Sequence, residues 1–208
     1  MAKGKFIVLD GIDASGKGTI VMMLAGYLEE KGLKEKLVVT FEPSSGKFGQ
    51  EVRELLKKES DPKKNAQKCL ELYVKDRADH LKNKVLPALK EGKIVLCDRF
   101  KYSTLAYQGA QGVPLKKILK LHEKMIKPDL ALILNADVGQ ALARIESDPK
   151  RGAFDKFEKK AFLDKVKANF MSMHKLLPKE NIQYIDANLP IEKVFLQAKE
   201  EVDKLLKL

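Results

Sequence analysis

The chain has 208 residues and a formal charge of +11, from 40 basic against 29 acidic side chains, with 44% hydrophobic and 33% charged residues. That length suits one compact α/β domain, and no apolar run approaches the roughly 18 residues of a membrane span, so no membrane role is expected. Five of the basic residues are Arg and the other 35 are Lys, spread along every predicted helix among Glu and Asp. This is the pattern of a solvated surface rather than of a stripe that tracks phosphates, and it argues against a nucleic-acid partner.

The N-terminus, MAKGKFIVLD, turns directly into a strand with neither the long apolar stretch nor the cleavage site of a secretory signal, so a cytoplasmic protein is expected. Continuous apolar runs then alternate with stretches of helical period. KFIVLD at 5–10 is followed by a helix from Lys17 to Lys31 and by KLVVTF at 36–41. Helical pattern over 49–58 and 62–90 leads to KIVLCD at 93–98. Shorter helices over 101–109 and 115–126 precede LALILN at 130–135 and a helix from Val138 to about Ser147. DPKRGAFDKFEKK, with Pro149 and Gly152, reads as a polar turn before a helix ending near Leu177. IQYIDA at 182–187 is the fifth strand, and an amphipathic helix from Ile191 to Leu206 closes the chain. The rhythm predicts an α/β three-layer sandwich: a five-stranded parallel sheet with helices on both faces and ligands bound beyond Asp10, Phe41 and Asp98. Cys69 and Cys97 lack metal-ligand spacing and read as buried free thiols.

Arginine is scarce enough here to need a reason, because a guanidinium is a planar fork that an ammonium cannot imitate. Surface ion pairs account for Arg144 and in part for Arg53, whereas Arg77, Arg99 and Arg151 fall inside the motifs below.

Directly after the first strand comes GIDASGKGT, comprising Gly11, Ile12, Asp13, Ala14, Ser15, Gly16, Lys17, Gly18 and Thr19. Strand, glycine loop and helix in this order form a phosphate-binding P-loop: successive amides and a helix N-terminus surround an anion, and Lys17 reaches the β- and γ-phosphates of ATP. The common form has Ser or Thr after the lysine to meet Mg²⁺, and here that position is Gly18. Magnesium is therefore expected on water, phosphates and nearby carboxylates, with Asp13 and Asp98 as candidates.

Four further segments resemble thymidylate kinases of the P-loop nucleoside-monophosphate kinase group, and the likeness spans nearly the whole chain. DRFKYSTLAYQG, from Asp98 to Gly109, is similar at every defining position to the family's DR(Y/F/H)xxSxxAYQG. The resemblance implies that Arg99 contacts the acceptor phosphate, that Ser103 and Gln108 line the nucleoside pocket, and that Tyr107 fills the space of a ribose 2′-hydroxyl. LELYVKDRADH, from Leu70 to His80, resembles LLFxADRxxH, which implies Tyr73 stacked on the base and Arg77 donating to the thymine edge. TFEPSSGKFGQEVRELL, from Thr40, resembles TREPGGTxxGExIRxLL, with Phe41 in place of the arginine and Ser44-Ser45 in place of the glycine pair; Pro43 and Arg53 are carried over as acceptor contacts. RGAFDKFEKKAFLDKV resembles the lid, over about 148–157, in which Arg151, assisted by Lys150 or Lys156, would stabilise the transferring phosphoryl group. His80, His122 and His174 read as structural.

The family thus implies transfer of the γ-phosphate of ATP to dTMP by one kinase domain, with Lys17, Arg99, Asp13 and Arg151 as the catalytic set, Mg²⁺ as cofactor and a homodimer as the assembly. Three alternatives stay open at this point. The acceptor could be another monophosphate, such as dUMP, AMP or a purine deoxynucleotide. It could instead be a deoxynucleoside, with Glu42 as the base that a neutral hydroxyl requires. The third is a non-catalytic, basic nucleic-acid-binding protein on a nucleotide fold.

Overall fold

The computed structural model describes residues 4–58, 65–147 and 156–208, with the side chains of Lys58 and of residues 156–159 excepted. Lys150, Arg151 and most of the expected lid lie outside the described residues. Strands β1 (Lys5–Gly11), β2 (Leu37–Phe41), β3 (Ile94–Asp98), β4 (Leu130–Asn135) and β5 (Ile182–Asp186) form one parallel sheet in the order β2-β3-β1-β4-β5. The middle strands are buried almost end to end, as their unbroken apolar runs require, while Val39 and Phe41 on the edge strand β2 stay exposed.

The helices are α1 (Lys17–Glu30), α2 (Lys47–Lys58), α3 (Ala66–His80), α4 (Leu86–Lys90), α5 (Lys101–Ala110), α6 (Leu115–His122), α7 (Val138–Glu146), α8 (Lys156–Met171), α9 (Met173–Leu176) and α10 (Ile191–Leu206). Helices α1 and α10 pack against each other and together reach all five strands, whereas α4, α5 and α8 pack on β3, β1 and β4, with α5 against α8. The result is the three-layer sandwich that the alternation predicts, with Phe6, Leu9, Leu24, Leu96, Leu132 and Phe170 among its buried core.

Two helical runs are shorter than their periodicity. The run over 62–90 is interrupted by a π turn at Leu81–Val85, just ahead of Pro87, which has no N–H to give to the carbonyl four residues back. Helix α6 stops at His122, whose Nδ1 donates to the Ile118 carbonyl at 2.7 Å, rather than continuing to 126.

The strand order is what assembles the site. Asp98 at the end of β3 lies in register beside Phe41 of β2 and Leu9 of β1. Three segments far apart in sequence therefore leave the sheet side by side, at the strand spacing of about 4.8 Å.

Candidate active site

The loop after β1 turns on two glycines. Gly11 (φ 150°) passes so close to β4 that a Cβ there would sit 2.8 Å from the Leu134 carbonyl, and Gly16 (φ 88°) takes the left-handed turn into α1. No side chain caps α1, so its first amides face the loop. Lys17 is only 6% exposed, and its Nζ donates to the Ile12 carbonyl at 3.0 Å, inside the loop itself. Burial, reinforced by the nearby Arg99 charge, pushes the Lys17 ammonium down to about 8, with Asp13, Asp98 and Asp10 opposing. Among the described residues Ser15 Oγ and Asp98 Oδ1 are buried without a hydrogen-bond partner, and a Cβ on Gly18 would lie 3.7 Å from Asp98 Oδ2. Polar groups left unpaired in a buried place beside a lysine mark a cradle for a polar ligand.

Beside the loop, Asp10 organises the start of α5. Its carboxylate accepts from the Gly11, Phe100 and Ser103 amides at 3.0, 3.1 and 2.9 Å and from the Ser103 hydroxyl at 2.6 Å. Ser103 in turn accepts from Arg99 Nη1 at 2.9 Å, while Arg99 Nη2 donates to Asp13 Oδ1 at 2.6 Å. Arg99 sits at φ 70°, unusual for a residue with a Cβ, and its amide is fixed to the Leu9 carbonyl at 2.8 Å. The Asp13 amide donates to the Tyr107 hydroxyl at 2.9 Å. Burial and then the Asp13 carboxylate push that phenol well above its ordinary range, so it stays neutral. The Tyr107 ring is held by edge contacts to Phe162 and Phe170 and lies under the Arg99 guanidinium at 5.7 Å.

A second cluster is buried behind these groups. Arg77 Nε donates to Glu42 Oε2 at 2.7 Å, both side chains being almost wholly buried. Nη1 and Nη2 donate to the Thr104 hydroxyl at 3.2 and 3.1 Å, and the guanidinium lies 5.1 Å over the Phe100 ring. Nη1 also meets His122 Nε2 at 2.5 Å. Because His122 Nδ1 faces a carbonyl, Nδ1 carries the proton and Nε2 accepts. Burial first, and the Arg77 charge second, depress the His122 imidazole to about 3. The other Glu42 oxygen faces His80 Nδ1 at 3.1 Å, and His80 Nε2 meets the Thr40 hydroxyl at 2.7 Å.

These groups enclose a cavity of about 260 Å³, lined by Asp13, Glu42, Pro43, Leu56, Tyr73, Arg77, Arg99, Phe100, Ser103, Thr104, Tyr107, Gln108 and Gln111. The structure thus brings together Asp13, Pro43, Tyr73, Arg77, Arg99, Ser103, Tyr107 and Gln108, all named from the sequence. Tyr73 is half-buried, and burial pushes its hydroxyl up to about 12. Arg53 is the exception. Its Nη1 donates to the Ser44 carbonyl at 2.8 Å and its Nη2 to the Pro43 carbonyl, so it braces the loop that carries Pro43 instead of lining the cavity. The serines that replace the family's glycine pair also have a local reason: Asp76 accepts from the Ser44 amide at 2.8 Å and from its hydroxyl at 2.5 Å. Gly49 closes against that turn, where a Cβ would overlap the Ser44 carbonyl at 2.1 Å. Arg144 forms no surface ion pair among the described residues; its Nη1 donates to the Ala14 carbonyl of the phosphate loop at 3.1 Å. Asp10 and Thr104 are members that the sequence reading did not assign, while Glu42 was named only as the base of the deoxynucleoside alternative and His122 only as structural. Only Glu42 had a signal, its match to the family's Glu-Pro pair.

The family model described as thymidylate kinase matches residues 9–198. The chain belongs to the thymidylate kinase family. It is 39% identical over 205 residues to a thymidylate kinase of Desulfotalea psychrophila, covering 99% of this chain and 97% of that protein. A thymidylate kinase of Brachyspira hyodysenteriae is 41% identical over 174 residues, 83% of this chain and 82% of the relative. Among solved structures, the thymidylate kinase from Ehrlichia chaffeensis superposes with a TM-score of 0.77 at 28% identity, covering 96% of this chain and 99% of the other. Membership in the thymidylate kinase family makes this an enzyme of the nucleoside-monophosphate kinase type.

Proposed function

We propose that this chain transfers the γ-phosphate of ATP to dTMP, giving dTDP and ADP, a step toward dTTP. The observation that carries the reading is the Arg99–Asp13 bridge of 2.6 Å, which joins the phosphate loop to a cavity sized for one nucleotide. In this reading ATP lies along Gly11 to Thr19, and Lys17 leaves the Ile12 carbonyl for the β- and γ-oxygens. Arg99, aimed by Ser103 and Asp13, takes the acceptor phosphate. One oxygen of that phosphate attacks the γ-phosphorus in line as the bond to the β-phosphate breaks. A phosphate monoester is already anionic, so no general base is needed. The base lies against Tyr73, with Arg77 and Thr104 toward its edge, and Tyr107 excludes a 2′-hydroxyl.

Both Glu42 oxygens are occupied, by Arg77 and His80, which weighs against the deoxynucleoside alternative that would use this carboxylate as its base. Among the described residues no three His, Cys, Asp or Glu side chains form a ready-made ion site, which fits Mg²⁺ arriving with the nucleotide. Asp98, whose Oδ1 has no partner among the described residues and whose Oδ2 faces Gly18, and Asp13 are the groups that would hold it. When bound, the ion neutralises the β- and γ-oxygens. We extend the proposal to one kinase domain with a lid carrying Arg151, to a homodimer and to a cytoplasmic location. The first two rest on the family. The third is supported by two buried cysteines that form no disulfide.

A coupled assay of ADP release across dTMP, dUMP, dGMP, AMP and thymidine tests the acceptor. Highest kcat/KM for dTMP is expected; turnover of thymidine without dTMP would overturn the proposal.

A further inference from the structure

A second cavity, of about 420 Å³, opens between α5, α6 and the segment from α9 into β5, and shares no lining residue with the nucleotide cavity. Its volume falls within the roughly 300–1,000 Å³ of small-molecule sites. The body of the cavity is apolar, with Leu105, Leu119, Met125 and Leu177. Its charges are uneven. Four lysines face it against Glu123 and Glu180, and one pair cancels inside the protein: Lys101 Nζ donates to Glu180 Oε1 at 2.5 Å while the Tyr102 hydroxyl donates to Oε2 at 2.6 Å. Both oxygens of Glu180 are thereby used. Lys120, Lys127 and Lys179 remain, exposed at the rim, against Glu123 alone. An apolar pocket with a cationic mouth selects an organic anion whose hydrophobic part is buried and whose charge stays at the rim.

His122 links this cavity to the first. Both ring nitrogens are spent, Nδ1 on Ile118 and Nε2 on Arg77, so it offers the cavity its ring while holding a guanidinium that lines the nucleotide cavity. We propose that the second cavity is a small-molecule site for an organic anion with an apolar or aromatic body, and that its occupation is felt at the acceptor pocket through His122 and Arg77. A ligand that shifts the imidazole removes one of the three side chains fixing Arg77. The acceptor site is then perturbed and the phosphate loop is not.

Anilinonaphthalene sulfonate, an aromatic body with one sulfonate, is a suitable probe. It is titrated by fluorescence into the full chain with ADP and dTMP saturating, so that binding is read without turnover and away from both nucleotides. Binding is expected to persist, to weaken about tenfold in the Lys127→Glu/Lys179→Glu variant, and to weaken similarly in Leu119→Trp, which fills the cavity without changing charge. In steady state the probe should raise the KM for dTMP several-fold and leave the KM for ATP unchanged. Absence of binding, an affinity that keeps falling with the concentration of either nucleotide instead of levelling off after a several-fold loss, or the parent's affinity retained in both variants would overturn the site. Binding with an unaltered KM for dTMP would overturn the link through His122.

Discussion

Glu42 is the residue whose loss should be felt most, and its cost follows from its surroundings. The Glu42–Arg77 pair has side-chain exposures of 2% and 1% and a 2.7 Å contact, with His80 on the second oxygen. Removing one member of a buried pair strands the other charge in a low-dielectric place, at about 3–5 kcal/mol. In a chain of this size each kcal/mol moves Tm by about 2–4 °C, so Glu42→Ala should lower it by about 6–20 °C. Glu42→Gln keeps the shape and one acceptor oxygen for Arg77, and its expected cost is nearer 1–3 kcal/mol. Urea and thermal unfolding of the two variants, with Arg77→Met alone and combined with Glu42→Ala, measure the coupling directly. The double variant should be clearly more stable than the sum of the singles implies. An additive cycle, or Glu42→Ala within about 1 kcal/mol of the parent, would refute the view that this pair is a desolvated, mutually dependent unit.

Lys17→Ala should cut phosphoryl transfer on the order of a thousandfold while leaving the unfolding midpoint nearly unchanged, and near-normal turnover would remove Lys17 from the site. Because burial brings the ammonium down to about 8 in the free protein, kcat/KM for ATP should fall as pH rises through that value; Lys17→Arg, which stays charged, should abolish that limb. Replacing Tyr107 by Ala should improve the ribonucleotide analogue relative to dTMP by about tenfold, and an unchanged ratio would show that the ring does not police the 2′ position. His122, held neutral down to about 3, binds a proton on unfolding anywhere between that value and its ordinary 6.5. Stability from this residue is therefore complete above pH 6.5 and lost as pH falls toward 3. His122→Asn, which keeps an acceptor for Arg77, should reduce the slope of unfolding free energy against pH by up to about 1.4 kcal/mol per unit near pH 5.

What the sequence made legible was whatever is local. Each predicted strand lies within a residue or so of the observed one, because a buried parallel strand announces itself as an unbroken apolar run. The phosphate loop was legible for the same reason: Gly11, Gly16 and Lys17 act within one turn of chain. The chain from Thr40 through His80, Glu42 and Arg77 to His122 was not, since it joins β2, α3 and α6 across intervals of up to 45 residues. Helical period tells that His80 and His122 are buried; it does not tell what they meet. The same limit hid Asp10, whose four hydrogen bonds include partners about 90 residues away.

One compositional signal reached further than it was pressed. In a chain with 35 lysines, the described arginines all place their forks on the site. Arg77 and Arg99 line the nucleotide cavity, Arg53 spans the Pro43 and Ser44 carbonyls, and Arg144 reaches the Ala14 carbonyl. A lysine at position 53 could not hold two carbonyls in one plane, and at position 77 it could not address Glu42, Thr104 and His122 at once. Reading Arg144, and in part Arg53, as a surface ion pair treated them as interchangeable with the lysines around them. The scarcity of arginine argued against that, and the geometry explains it: each described arginine stands where a charge must be directional, bridging elements that the sheet order alone would leave adjacent but unlinked.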